Sequence, residues 1–344
     1  MSRDVYSIGK ATLWRRHEFG VGGMASVSQS PLWRLVAKNA ETIVPLGGNG
    51  GATPLYCVHS IAGEVTSFRL MAEKIGTDRC VYGIQAPKDR MSGAFASSVS
   101  KLAGYYVDKL CDFQPDGPVM LAGWSAGAIL ALEMAQILKA RGREVEFLVA
   151  LDGILYNTGA EISRWNPLYY WKLAGNLPRW IADNVASGWG FSGIYNRLKR
   201  ELKLNLASLT GKRAPRGSTV DAFMDTSILP AEQAAFARAL FAALEDYVPK
   251  PYDGRVLLYA AKTQPLLHLL QVEAAWDKIA GRVETLHLEG THLAMVREPQ
   301  ISRLVEHFRA RLDTIAGPIG QVPENIAEFS GTPATGYSSL QPGA

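Results

Sequence analysis

The chain has 344 residues, of which 47% are hydrophobic and 20% are charged, as in an ordinary globular protein rather than a disordered or fibrous one. Its 36 Lys and Arg residues against 32 Asp and Glu residues leave a net charge of +4. This charge is too small and too scattered along the chain to indicate a nucleic-acid-binding protein.

The cysteines and the apolar runs predict the compartment. Cys57, Cys80 and Cys111 lack the spacing of metal ligands, so no metal site is expected, and an odd number of thiols favours a reducing environment. No apolar run reaches membrane-spanning length, and no uninterrupted apolar segment follows the N-terminal charges. We therefore expect a cytoplasmic protein with no transmembrane segment.

Composition divides the chain into three parts. Residues 1–50 show no clear period and end in a glycine run, 47–51, which indicates an N-terminal extension and a linker. Regular patterning over 51–315 predicts one folded domain. Residues 316–344 are rich in Gly, Pro, Ser and Thr, which is typical of a disordered tail.

Within the domain, short apolar runs alternate with helical patterns. The runs are residues 55–58, 80–84, 119–122, 145–151, 256–260 and 283–288. Apolar residues over 99–110 recur on one face of a helix. This alternation predicts an α/β fold with a mostly parallel sheet, whose ligands bind at the carboxyl ends of the strands. Between about 155 and 250 no strand is apparent, and we expect a helical lid insertion there.

A strand–turn–helix motif at 119–135 predicts the nucleophile. The sequence Gly123-Trp124-Ser125-Ala126-Gly127 follows an apolar run and precedes a helical stretch of small residues. In this context Gly-x-Ser-x-Gly forms a sharp turn that exposes the serine hydroxyl. We expect Ser125 to be the nucleophile and the Ala126 N–H, at the helix start, to bind a developing oxyanion.

A serine nucleophile needs a histidine base and an acid that orients it. Of the six histidines, only His292 lies in a loop just past a strand end and after the serine, and we expect it to be the base. Asp152 closes the strand 145–151 and is the expected acid, because the loop after 256–260 contains no carboxylate before Glu273. A simple helix cap is the alternative for Asp152.

The loop after the first strand predicts the second oxyanion donor. It reads His59-Ser60-Ile61-Ala62-Gly63, and the backbone N–H of Ile61 is our candidate. An ordinary glycine turn is the alternative. We expect a structural rather than a catalytic role for His59.

These stretches resemble the thioesterase domains that end nonribosomal peptide and polyketide assembly lines, which have the α/β-hydrolase fold. The resemblance covers about residues 53–313 and is carried by the segments 54–59, 123–127, 151–153, 252–256 and 290–292. It implies that the acid follows the strand after the nucleophile helix, in agreement with Asp152. It also implies a mobile lid over an acyl-binding channel.

The resemblance implies an enzyme that cleaves an acyl, peptidyl or polyketide thioester through acyl-Ser125. No cofactor is expected; the substrate is carried on the phosphopantetheine of an acyl or peptidyl carrier protein, or on CoA. Fifty residues are too few for a carrier domain before the fold, so we expect the thioester to come from a partner. Hydrolysis or cyclisation would release the product.

Alternatives remain open at this point. A carboxylester hydrolase or lipase would use the same triad, and a non-catalytic binding module would keep the fold alone. The aromatic residues at 165–191 would line an acyl chamber or simply pack the lid on the core. The basic stretch 197–204 would dock a carrier protein or form a solvated helix face.

Overall fold

A computed structural model of the chain describes residues 42–158, 162, 165–186, 195, 199, 220, 226, 229–264 and 269–316. The strands are β1 (Ile43–Val58), β2 (Arg79–Ile84), β3 (Val119–Trp124), β4 (Val145–Leu151), β5 (Tyr252–Thr263) and β6 (Ala280–Thr291). The α-helices are α1 (Arg69–Ile75), α2 (Val99–Phe113), α3 (Ala126–Ala140), α4 (Pro167–Ala186), α5 (Ala231–Asp246), α6 (Val272–Ile279) and α7 (Gln300–Ala316).

The strands form one sheet in the order β2-β1-β3-β4-β5-β6, and the pairs from β1–β3 to β5–β6 are parallel. This confirms the predicted α/β class with a mostly parallel sheet. The carboxyl ends of the strands therefore share one edge of the sheet, where the loops after β1, β3, β4 and β6 come together.

The sheet begins earlier than the sequence predicts, because residues 43–50 lie in β1 and not in a linker. The β2 residues that pair with 43–47 run backwards along β2, from Ile84 to Val81. The β2 residues that pair with 55–58 run forwards, from Val81 to Ile84. β1 thus has an outer arm antiparallel to β2 and an inner arm parallel to it. Each edge of a strand can form hydrogen bonds with only one neighbouring strand. The two arms of β1 therefore lie on opposite sides of β2.

Helices cover both faces of the sheet. One core cluster joins the sheet to α2, α3, α5 and α6, and the other joins it to α1 and α7. Successive residues of β1 alternate between the clusters, with Tyr56 and Val58 in the first and Leu55 and Cys57 in the second. All the apolar positions predicted for one face of the helix at 99–110 are buried in the first cluster. The strands are thus buried on both faces, as in α/β proteins generally.

The insertion between β4 and β5 is helical in its described parts, α4 and α5, as predicted. Helix α5 packs on the core through Phe236, Leu240 and Leu244. Across the described part of the chain, no helix has both the length and the apolar character needed to cross a bilayer.

Candidate active site

Ser125 lies at the turn between β3 and α3, where the backbone is strained. Its φ is 58° and its ψ is −123°, an unusual conformation for a residue with a Cβ. The turn is held by the Ser125 N–H, which donates to the Leu151 carbonyl across the sheet at 2.9 Å. The predicted strand–turn–helix context of Gly-x-Ser-x-Gly is therefore present.

The glycines on either side are required by close approaches of backbone. A Cβ on Gly123 would lie 2.1 Å from the Gly127 carbonyl oxygen. A Cβ on Gly127 would lie 2.4 Å from the Val58 oxygen and 2.5 Å from the His59 oxygen. These contacts pack the start of α3 directly against the end of β1, which brings the loop after β1 beside Ser125.

Asp152 follows β4 directly and is oriented by the neighbouring strand. Its N–H donates to the Tyr259 carbonyl at 2.8 Å, and its Oδ1 accepts from the Ala261 N–H at 3.1 Å. The residue has a φ of 48° and caps no α-helix, since a loop follows it. Its carboxylate is largely buried and is held by β5 rather than by a helix end.

The structure brings Asp152 and His292 together. His292 Nδ1 lies 2.7 Å from Asp152 Oδ2, across 140 positions of sequence. The imidazole lies in the loop after β6, with about a third of its side chain exposed to solvent. A carboxylate on Nδ1 leaves Nε2 as the ring nitrogen available to a reacting group.

Trp124 joins the histidine to the serine turn. Its ring stacks on the His292 ring, with centroids 5.0 Å apart and an interplanar angle of 23°. Its indole N–H also donates to the His292 carbonyl at 3.3 Å. Since Trp124 immediately precedes Ser125, these two contacts tie the loop of His292 to the serine turn.

The two proposed oxyanion donors lie at neighbouring element ends. Ala126 begins α3, and the first N–H groups of a helix have no partner within the helix. Ile61 lies in the turn after β1, which is closed by a 3.1 Å hydrogen bond from the Gly63 N–H to the Ser60 carbonyl. Both N–H groups belong to the segments that Gly127 packs together.

The other described histidines have different surroundings. His59 is fully buried. His287 pairs with Glu273 at 2.6 Å, and His307 lies 3.0 Å from the Tyr259 hydroxyl. His17 and His268 lie outside the described residues.

The aromatic residues of the lid do not share one environment. Tyr169 and Trp180 are buried, whereas Trp165 and Trp171 are exposed. Trp189, Phe191 and all of the basic stretch 197–204 except Lys199 lie outside the described residues. The described part of the insertion thus combines packing on the core with an exposed aromatic surface.

Sequence reasoning missed three side chains around this site. The motif includes Trp124, and its place beside the serine was the available signal for its contact with the histidine. Tyr106 was assigned to an apolar helix face, but its hydroxyl lies 2.6 Å from His59 Nε2. Gln233 of α5, which donates to the Ala62 carbonyl at 2.9 Å, had no sequence signal.

Comparisons with known proteins find similarity to a thioesterase domain. A family model described as "Thioesterase domain" matches residues 53–161, a range that includes Ser125 and Asp152. Microperfuranone synthase from Emericella nidulans is 36% identical over 132 residues, 38% of this chain and 14% of the synthase. Enterobactin synthase component F from Escherichia coli K12 is 26% identical over 274 residues, 79% of this chain and 18% of the relative. The chain thus spans less than a fifth of the length of these two relatives.

Solved structures show the same fold. The NocB thioesterase domain from the nocardicin cluster superposes with a TM-score of 0.51 at 19% identity, covering 79% of this chain and 99% of that one. The four-domain nonribosomal peptide synthetase AB3403 matches with a TM-score of 0.51 at 19% identity, over 84% of this chain and 21% of that one. The chain has the α/β-hydrolase fold of thioesterase domains and resembles those of nonribosomal peptide synthetases.

Proposed function

We propose that this chain is a serine hydrolase that cleaves acyl thioesters through an acyl-Ser125 intermediate. The observation that carries the proposal is the 2.7 Å hydrogen bond between His292 Nδ1 and Asp152 Oδ2, beside the strained turn at Ser125. The thioesterase-domain match over 53–161 supports the thioester as the scissile bond.

The acylation step follows from these side chains. The Asp152 carboxylate accepts from Nδ1 of neutral His292, so Nε2 is the base that takes the Ser125 hydroxyl proton. The serine oxygen bonds to the thioester carbonyl carbon, and the carbonyl oxygen becomes an anion. The N–H groups of Ala126 and Ile61 stabilise that anion, aided by the positive end of the α3 dipole.

Collapse of this intermediate breaks the carbon–sulfur bond. The proton on His292 passes to the departing sulfur, which leaves as a thiol with an ordinary pKa of about 8.5. His292 then takes a proton from water, whose oxygen bonds to the acyl carbon of acyl-Ser125. As the bond between that carbon and the serine oxygen breaks, His292 gives the proton to the serine oxygen, which releases the carboxylic acid and restores the free Ser125 hydroxyl. An internal hydroxyl or amine of the acyl chain would give a cyclic product by the same proton transfers.

The thiol is proposed to be the phosphopantetheine of an acyl or peptidyl carrier protein, with CoA as the alternative carrier. The two relatives named above are synthases, and one solved neighbour is a four-domain nonribosomal peptide synthetase. These similarities support a carrier-bound thioester as the substrate.

Intact-mass measurement tests the nucleophile. The wild-type chain, incubated with a fluorophosphonate or with an acyl-loaded carrier protein, should gain the mass of one phosphonyl or acyl group. Ser125→Ala should gain nothing, whereas Ser100→Ala, at an exposed position of α2, should react like wild type. Absence of an adduct on wild type, or an adduct on Ser125→Ala, would contradict the proposal.

A pair of matched substrates tests the scissile bond. Turnover of an acyl-S-pantetheine should exceed turnover of the p-nitrophenyl ester of the same acyl group. A strong preference for the oxygen ester would overturn the thioesterase assignment and favour a carboxylester hydrolase.

A further inference from the structure

The His59 imidazole connects the core of the protein to the loop that follows β1. It is fully buried, and its Nδ1 lies 2.6 Å from the Ser60 carbonyl oxygen. Its Nε2 lies 2.6 Å from the hydroxyl of Tyr106, a fully buried residue of α2. Both ring nitrogens are therefore engaged, one with the loop and one with the core helix.

The partners determine the tautomer of this ring. The Ser60 carbonyl oxygen can only accept a hydrogen bond, so Nδ1 carries the proton and donates. Burial lowers the pKa of His59 to about 4, so the ring is neutral near pH 7 and Nε2 is an acceptor. Burial also raises the pKa of the Tyr106 phenol well above its usual value, and the hydroxyl keeps the proton that it donates to Nε2.

The carbonyl that His59 binds belongs to the peptide unit of the Ile61 N–H. A trans peptide is planar, and its C=O and N–H point in opposite directions. The Ser60 oxygen accepts a second hydrogen bond from the Gly63 N–H at 3.1 Å. Two donors on this oxygen set the peptide plane, and with it the direction of the Ile61 N–H.

The same loop is held from the lid side by α5. The Gln233 side-chain amide donates to the Ala62 carbonyl at 2.9 Å and to Glu64 Oε1 at 3.0 Å. The Phe236 ring packs against the His59 ring, with centroids 5.6 Å apart. The loop is thus fixed between a core helix and a lid helix.

We propose that His59, itself oriented by Tyr106, is a positioning residue that aims the Ile61 N–H at the oxyanion. This inference rests on the proposed function, because it requires Ile61 to be an oxyanion donor. His59 touches no reacting atom; it acts through the Ser60–Ile61 peptide. A purely structural role would make its hydrogen bonds matter for stability alone.

Two variants separate the two ring nitrogens. In His59→Asn the side-chain amide N–H reaches the place of Nδ1 and can still donate to Ser60. In His59→Gln the amide reaches the place of Nε2 and can meet Tyr106, but Ser60 loses its donor. Loss of an oxyanion donor costs roughly 10²–10³ in kcat, and a misdirected donor should cost part of that.

The experiment measures kcat and KM for an acyl-S-pantetheine, the rate constant of fluorophosphonate labelling, and the free energy of unfolding for each variant. We expect His59→Gln to lower kcat and the labelling rate about 10–100-fold with KM within about 3-fold, and His59→Asn to stay within about 3-fold of wild type. Tyr106→Phe, which keeps the ring in the core, should lie between them.

The outcomes distinguish this inference from the function on which it rests. If wild type labels at Ser125 but both His59 variants label at the wild-type rate per folded molecule, the positioning role is overturned and the hydrolase stands. If His59→Asn and His59→Gln reduce the labelling rate equally and in proportion to the stability that each loses, the role of His59 is structural and the inference fails. If wild type itself does not label, the proposed function fails first.

Discussion

The indole of Trp124 lies face to face with the imidazole of His292 and is hydrogen-bonded to its backbone carbonyl. The residue before the proposed nucleophile therefore orients the proposed base. An aromatic face also stabilises a cation held above it, by about 0.5–2 kcal/mol. The imidazolium that forms during acylation would gain this stabilisation, whereas the neutral ring of the resting state would not.

Substitution of Trp124 should therefore slow acylation in a graded way. Trp124→Phe keeps a stacking ring and loses the indole N–H, and we expect a decrease of about 3-fold in the acylation rate. Trp124→Leu loses both contacts and should decrease it about 10–30-fold. Single-turnover formation of the acyl-enzyme measures this step directly. A leucine variant that acylates as fast as wild type would show that the stacking has no catalytic consequence.

Asp152→Asn tests the proposed acid with little disturbance of the fold. Asparagine tolerates a positive φ such as the 48° at this position, and its oxygen can still accept from the Ala261 N–H. The amide would favour the wrong tautomer of His292, so we expect kcat to fall about 10³–10⁴-fold with a small change in stability. Steady-state kinetics and thermal unfolding of the same preparation check both parts. Activity within 10-fold of wild type would remove Asp152 from the mechanism.

Gly127→Ala should destabilise the chain, because the new methyl group would meet the backbone oxygens of Val58 and His59. Backbone cannot move aside as a flexible side chain can, and we expect a loss of about 3 kcal/mol in the free energy of unfolding. Gly104→Ala is the matched control: it lies in α2 with no atom within 4 Å of the added Cβ. It should stabilise the chain by about 0.5–1 kcal/mol. Urea denaturation measures the free energy of unfolding of both variants. A similar change in this free energy for Gly127→Ala and Gly104→Ala would contradict this account.

The buried neutral His59 should make stability depend on pH. Its pKa is lowered from 6.5 to about 4 in the folded chain, so between these values the unfolded chain binds a proton that the folded chain does not. The stabilisation is complete above pH 6.5 and decreases as the pH falls towards 4, by about 3 kcal/mol at most. Unfolding free energies of wild type and His59→Asn between pH 7 and 4 isolate this contribution. Parallel curves for the two proteins would contradict it.

The sequence predicted the parts of this fold that repeat a simple pattern. The alternation of apolar runs and helices predicted the sheet. The two residues that it indicated at strand ends, Asp152 and His292, lie within hydrogen-bond distance of each other. The glycine run 47–51 suggested a linker, since glycine is unfavourable inside strands. Its pairing along β2 is a tertiary contact that composition does not reveal.

The side chains that the sequence did not predict are placed by contacts between distant segments of the chain. His59 and Tyr106 lie 47 positions apart within apolar patterns, and neither pattern indicates a polar partner for the other. Gln233 lies on a lid helix whose docking surface is unknown until the chain is folded. Such side chains can be found only from the tertiary structure.

The outer arm of β1 has a consequence for how the molecule meets its neighbours. An unpaired strand border is a template on which other chains add strands and aggregate. By folding back along β2, residues 43–47 cover the border that β2 would otherwise present to solvent. The covering arm contains Pro45, which has no N–H to offer an incoming strand. The segment that the sequence suggested as an extension before the fold thereby covers the outer border of β2.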